Sequence, residues 1–262
     1  MSKIANAFKN GKAFIPFITC GDPDVDTTVE LVCALDEAGA DLIELGIPFS
    51  DPTAEGPVIQ ASTLRALSQG VTTDQVFDCV RKIRQRTDIP MVFMTYANVV
   101  FSYGTDRFLS TAAEIGMDGI ILPDVPYEEK ADFEPTCKKY GLALVPMIAP
   151  TSRERVEMIA AEAEGFIYCV SSMGVTGVRE EIHTNVGEII RHCKKVNPDV
   201  PCAVGFGISR PDQAVDMAAV SDGAIVGSAI VRLCGEYGRD CVPHVAAYVK
   251  TMKDALRKAF QD

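Results

Sequence analysis

The stretch Ala38-Gly39-Ala40-Asp41-Leu42-Ile43-Glu44-Leu45-Gly46 decides the fold. Before it, Thr27–Ala38 carries apolar residues at helical spacing, and a glycine directly after a helical pattern is the usual residue to end it. The apolar run that follows is too short for a helix and reads as a buried strand. Helix, glycine turn and strand thus succeed one another without a linker. The same punctuation recurs at Ile115-Gly116-Met117-Asp118 and Val220-Ser221-Asp222-Gly223, each placed just before another apolar run. These read as equivalent turns, a weak internal repeat.

Working outward, strands are expected near 14–19, 42–46, 91–96, 119–122, 143–148, 165–170, 202–205 and 223–226. Helix-compatible segments such as Phe108–Ile115 and Arg153–Ala163 lie between them. Strands alternating with amphipathic helices along the whole chain give parallel βαβ units. Eight such units favour a closed ring over an open sheet, so the expectation is an α/β fold, a single (β/α)8 TIM barrel. The length of 262 residues suits one such barrel, and no Pro/Gly/Ser-rich linker divides it, so residues 1–262 read as one domain. In a closed barrel the chemistry belongs on the loops at the C-terminal ends of the strands.

Composition narrows the partners. The formal net charge of −11 argues against nucleic acid, whose binding needs a surplus of Lys and Arg on one face. The basic run Arg81, Lys82, Arg84 and Arg86 and the pair Lys138-Lys139 read as solvated helix faces. A phosphate remains compatible, because backbone N–H groups at a helix start hold one locally. The nine cysteines include no C-x-x-C pair and several sit in apolar runs, the pattern of reduced, buried thiols. No signal peptide and no long apolar span is present, which points to a soluble, cytoplasmic protein.

Two kinds of loop can carry chemistry. Glu44 interrupts the apolar run Leu42-Ile43-Glu44-Leu45, where a carboxyl is costly unless it is partnered or its pKa is raised. A raised pKa suits a general acid/base; a structural carboxylate bonded to backbone N–H groups is the alternative. Glu55 follows eleven residues later on a Pro-containing loop that can fold back over the barrel mouth, and Asp51 on the same loop reads equally as a turn residue ahead of Pro52. Late in the chain, Gly174-Val175-Thr176-Gly177, Gly205-Phe206-Gly207-Ile208 and Gly227-Ser228 follow consecutive strands, where barrels often bind phosphate with backbone amides. The three histidines, His183, His192 and His244, fall in or beside helical segments. No lysine ends a strand, and no cluster has metal-ligand spacing. The chemistry must run on carboxylates.

The string Glu44-Leu45-Gly46-Ile47-Pro48-Phe49-Ser50-Asp51-Pro52 closely resembles the tryptophan synthase α-chain family. The likeness covers essentially the full chain, through Pro16-Phe17-Ile18-Thr19-Cys20-Gly21-Asp22-Pro23, Met94-Thr95-Tyr96-Ala97-Asn98, Leu122-Pro123-Asp124-Val125-Pro126 and the glycine loops above. It implies a lyase that cleaves indole-3-glycerol phosphate to indole and glyceraldehyde 3-phosphate in retro-aldol fashion. It implies no cofactor in this chain, and a pyridoxal-phosphate β-subunit as partner in an α2β2 complex. In this resemblance Glu44 matches the catalytic glutamate that protonates C3 of the indole, and Glu55 stands where the family usually has an aspartate contacting the indole N–H. Phe17, Tyr96, Ile121, Tyr168 and Phe206 would pack around the indole. Gly177, Gly207, Gly227 and Ser228 would hold the phosphate. Thr176 would sit on a loop that closes over substrate, and Asp51 on the loop that meets the partner. Another phosphosugar barrel enzyme, or a chain that only activates a β-subunit, are the competing readings.

Overall fold

A computed structural model describes residues 3–150, 153–170, 179–205 and 207–260, with the backbone alone for 179–185. The strands are β1 (Ala13–Thr19), β2 (Ile43–Gly46), β3 (Met91–Met94), β4 (Gly119–Ile121), β5 (Ala143–Leu144), β6 (Met147–Ile148), β7 (Ile167–Val170), β8 (Cys202–Gly205) and β9 (Gly223–Val226). All pair in parallel, in the order β5-β4-β3-β2-β1-β9-β8-β7-β6.

The two edge strands are halves of one extended run, expected above as a single strand. Pro146 lies between them and has no N–H to give a ladder. Hydrogen bonds still pass on either side of it: the Val145 N–H donates to Ile120 O at 2.9 Å and the Tyr168 N–H to Pro146 O at 3.0 Å. The run therefore pairs with β4 through its first half and β7 through its second. That closes the ring, an eight-stranded (β/α)8 barrel.

Alternation along each strand sorts the core into two layers. Ile15, Leu42, Val92, Ile121, Tyr168 and Ile225 belong to the inner cluster that fills the ring. Their strand neighbours Phe14, Ile43, Phe93, Ile120, Ile167 and Ala224 face outward into the larger cluster beneath the helices. Since both faces are covered, β1, β2, β8 and β9 are buried at every position, which is why the strands read as continuous apolar runs.

The recurring turns do one physical job. Asp41, Asp118 and Asp222 each accept from the N–H of a residue starting the preceding strand: Phe14 at 2.7 Å, Met91 at 2.9 Å and Cys202 at 2.8 Å. Their own N–H groups donate back to the carbonyls of the same three residues, at 3.0, 2.9 and 2.8 Å. Each carboxylate also meets a cation from a helix, Lys253 at 2.6 Å, Arg84 at 3.4 Å and Lys194 at 2.8 Å. Gly39 and Gly116 take φ of +97° and +90°, as a left-handed helix end requires, whereas Ser221 serves the third turn in an extended conformation. These staples lie at the N-terminal end of the barrel, leaving the other end for chemistry. All nine cysteines are buried free thiols, and among the described residues no helix is long and apolar enough to cross a membrane.

Candidate active site

At the C-terminal end of the ring lies a cavity of about 340 Å³, within the range of small-molecule sites. Strand alternation supplies its floor: Phe17 from β1, Glu44 from β2, Met94 from β3, Tyr168 from β7 and Ile225 from β9. Two glycines make room for the aromatic rings. A Cβ on Gly46 would come within 2.7 Å of the Phe17 ring, and one on Gly205 within 2.4 Å of the Tyr168 hydroxyl. Side chains at those positions would force the rings out of place.

Glu44 is wholly buried, and neither carboxyl oxygen has a hydrogen-bond partner among the described residues. No described backbone N–H holds it as a structural carboxylate. Burial pushes its pKa well above the ordinary carboxylate value. The Tyr168 phenol is raised too, first by burial and then by the neighbouring Glu44 charge.

Glu55 reaches the same cavity from the loop after β2. The loop is tied down by Tyr96, whose hydroxyl accepts from the Ala54 N–H at 3.2 Å and whose ring packs on Phe49 at 5.3 Å between centroids. Gln60 at the start of helix Pro57–Ser68 donates to the Glu55 carbonyl at 2.8 Å. Partial burial raises the Glu55 carboxyl, and the Tyr96 hydroxyl beside it draws it partly back. Tyr96 itself is pushed up to about 12, by burial first and the Glu55 charge after.

The far wall is polar. Gly207, with φ of +76° and open space where a Cβ would stand, precedes Ile208 and Ser209. Gly227 caps helix Ser228–Tyr237 and approaches Phe17 closely enough that a Cβ would touch it at 3.4 Å. Ser228 and Ala229 at the start of that helix line the cavity, and the first N–H groups of a helix have no intrahelical acceptor, the arrangement that binds anions.

Of the residues singled out from sequence, Phe17, Glu44, Glu55, Tyr168, Gly207, Gly227 and Ser228 all line this one cavity. Tyr96 is buried behind it as the loop's anchor, and Ile121 lies in the inner barrel cluster alongside Tyr168. Asp51 is exposed on the loop, accepting from Ser50, and does not line the cavity. Thr176, Gly177 and Phe206 fall outside the described residues. Sequence reasoning missed Ile59, Ser209 and Arg232. It quoted Met94 within a motif without assigning it a role, although two residues before Tyr96 on an inward-facing register was a readable signal. Among the described residues no group of three or more His, Cys, Asp or Glu side chains is placed to hold a metal.

A (β/α)8 barrel whose mouth gathers two carboxyl groups and a helix start in one cavity has the form of an enzyme. Known proteins agree on which. The family model described as tryptophan synthase alpha chain matches residues 4–257. The tryptophan synthase alpha chain of Lacticaseibacillus casei is 48% identical over 256 residues, 98% of this chain and 96% of its own. Tryptophan synthase subunit alpha from Legionella pneumophila superposes with a TM-score of 0.89 at 35% identity, covering 98% of this chain and 99% of that one. A chain of the tryptophan synthase α2β2 complex from Pyrococcus furiosus gives 0.86 at 37% identity, covering 93% and 99%. The chain belongs to the tryptophan synthase α-chain family, whose members are lyases.

Proposed function

We propose that residues 1–262, as one cytoplasmic domain, form the α-subunit of a tryptophan synthase α2β2 complex and cleave indole-3-glycerol phosphate to indole and glyceraldehyde 3-phosphate. The observation that carries the reading is Glu44: a carboxyl in a cavity wall, wholly buried and with no partner for either oxygen among the described residues. Burial favours the protonated form of such a group, and a proton to give is what the reaction needs.

Glu44 gives its proton to C3 of the indole ring. The ring nitrogen then carries positive charge, and the bond from C3 to the side chain breaks with its electron pair returning to the ring. The hydroxyl on the departing carbon becomes the aldehyde, and its proton goes back to the Glu44 carboxylate, so no net proton is consumed. Glu55, less buried than Glu44 and drawn partly back by the Tyr96 hydroxyl, is the carboxylate that faces the positive ring nitrogen. Phe17, Met94 and Tyr168 enclose the indole, and the N–H groups at Gly207, Gly227 and Ser228 take the phosphate. The longer side chain at Glu55 is accommodated by the loop tied to Tyr96. A β-subunit carrying pyridoxal phosphate receives the indole, the loop bearing Asp51 facing it.

The test is indole formation from indole-3-glycerol phosphate, with and without a β-subunit. The chain contains no tryptophan, so it adds no indole signal of its own to a fluorescence assay. Release by the wild type, loss in Glu44→Gln and retention in Glu55→Asp support the assignment. A wild type that releases no indole but still stimulates a β-subunit would make this a regulatory chain.

A further inference from the structure

We propose that Arg232 is a phosphate-binding residue of this site, the side chain that recognises the substrate's phosphate as a charge. The proposal rests on the reading above, that a phosphorylated substrate fills the cavity.

Among the described residues lining the cavity, Arg232 is the only one that carries positive charge, and Glu44 and Glu55 stand with it there. It lies four residues after Ser228 on helix Ser228–Tyr237, hence on the same helix face. Helical side chains lean toward the N-terminus, so the long arginine stem is carried back over the turn that holds Gly227 and Ser228. Arg232 is exposed and has no hydrogen bond or ion pair among the described residues. Its neighbours in the fold are engaged elsewhere, Arg239 with Asp24 at 2.7 Å and Arg65 with Asp22 at 2.7 Å. The guanidinium is left available at the place where an anion would bring its charge.

The electrostatic need is plain. The chain has a net charge of −11 and sets two carboxyl groups in the cavity wall. Backbone N–H groups and the Ser228 hydroxyl supply hydrogen bonds but little net charge against a phosphate monoester carrying about −1.5 to −2 at neutral pH. A guanidinium offers both the charge and a planar fork that fits two phosphate oxygens.

The experiment uses the full chain with its β-subunit and inorganic phosphate as probe, a competitive inhibitor of indole release. In Arg232→Gln the inhibition constant for phosphate and the KM for indole-3-glycerol phosphate should each rise about tenfold, the low end for a hydrogen bond to a charged group because the arginine is exposed. The preference for indole-3-glycerol phosphate over its dephosphorylated counterpart should fall by the same factor, kcat should change less than KM, and added salt should narrow the gap between variant and wild type. Arg232→Lys should recover much of the loss. Thermal melting confirms that both variants are folded. An unchanged phosphate constant in Arg232→Gln, or equal losses in Gln and Lys, overturns the proposal while leaving the lyase assignment standing. A wild type whose indole release is untouched by phosphate or by removal of the substrate's phosphate overturns the phosphate site and the role of Arg232 together.

Discussion

Replacing Glu44 by Gln should change how the protein's stability depends on pH, independently of what it does to catalysis. The native state holds the Glu44 proton well above the ordinary carboxylate range because the group is buried, with no partner among the described residues. The unfolded chain releases it near the model-peptide value of about 4.3. Between those two values the folded state binds more protons than the unfolded one, so wild-type stability falls as pH rises, and the fall ends once pH passes the folded pKa. One proton difference gives a slope approaching about 1.4 kcal/mol per pH unit. Glutamine buries an unpartnered amide, at a cost on the order of 1–3 kcal/mol that is the same at every pH. Every other titrating group, Glu55 included, is common to both proteins and cancels in the difference. Urea unfolding from about pH 5 to about pH 8 should therefore show the variant gaining on the wild type as pH increases. A difference that stays flat across that range would refute the reasoning, because it would mean that Glu44 is ionised in the folded protein or finds a partner there.

Three other substitutions probe separate parts of the structure. Gly205→Ala places a Cβ against the Tyr168 hydroxyl and ring, so it should cost about 1–3 kcal/mol in thermal or denaturant unfolding and slow indole release by displacing the ring beside Glu44. Tyr96→Phe removes the hydroxyl that draws the Glu55 carboxyl down, so the acid limb of kcat/KM should move to higher pH, read from a pH–rate profile. Lys253→Met leaves Asp41 without its 2.6 Å partner and should cost about 2–3 kcal/mol in urea unfolding. That is the low side for breaking a buried pair, since Asp41 keeps some contact with water.

The barrel was legible because parallel strands covered on both faces must be apolar throughout, and short apolar runs separated by amphipathic helices have few other meanings. Pro146 was visible in the sequence, yet its effect on pairing depends on which neighbour each half of the run meets, and that is set by tertiary register. Glu44 stood out because a charge inside an apolar run is costly; that both its oxygens lack partners among the described residues depends on what surrounds it in three dimensions. Glu55 was a reach across a loop, and only the anchor at Tyr96 fixes where it points. Arg232 gave no signal at all, since an arginine on a helix is ordinary until one knows which face looks into the cavity.

The aspartate staples carry a consequence for how the ring is assembled. They join β1 to β2, β3 to β4 and β8 to β9, so the motif recurs with every second strand of the barrel, and the unit that repeats is a strand pair. The remaining pair, the run ending in β6 with β7, has no such aspartate. Gly165 occupies the turn there, where a Cβ would lie 3.0 Å from Ala143 and 3.3 Å from Ile4 of the first helix, Lys3–Asn6. Phe8, just beyond that helix, packs its ring at a tilt against Phe166, 5.8 Å between centroids. The first turn of chain thus packs apolar side chains against the one strand pair of the four that has no such aspartate, and anyone trimming or tagging that end would be working on a closure of the barrel.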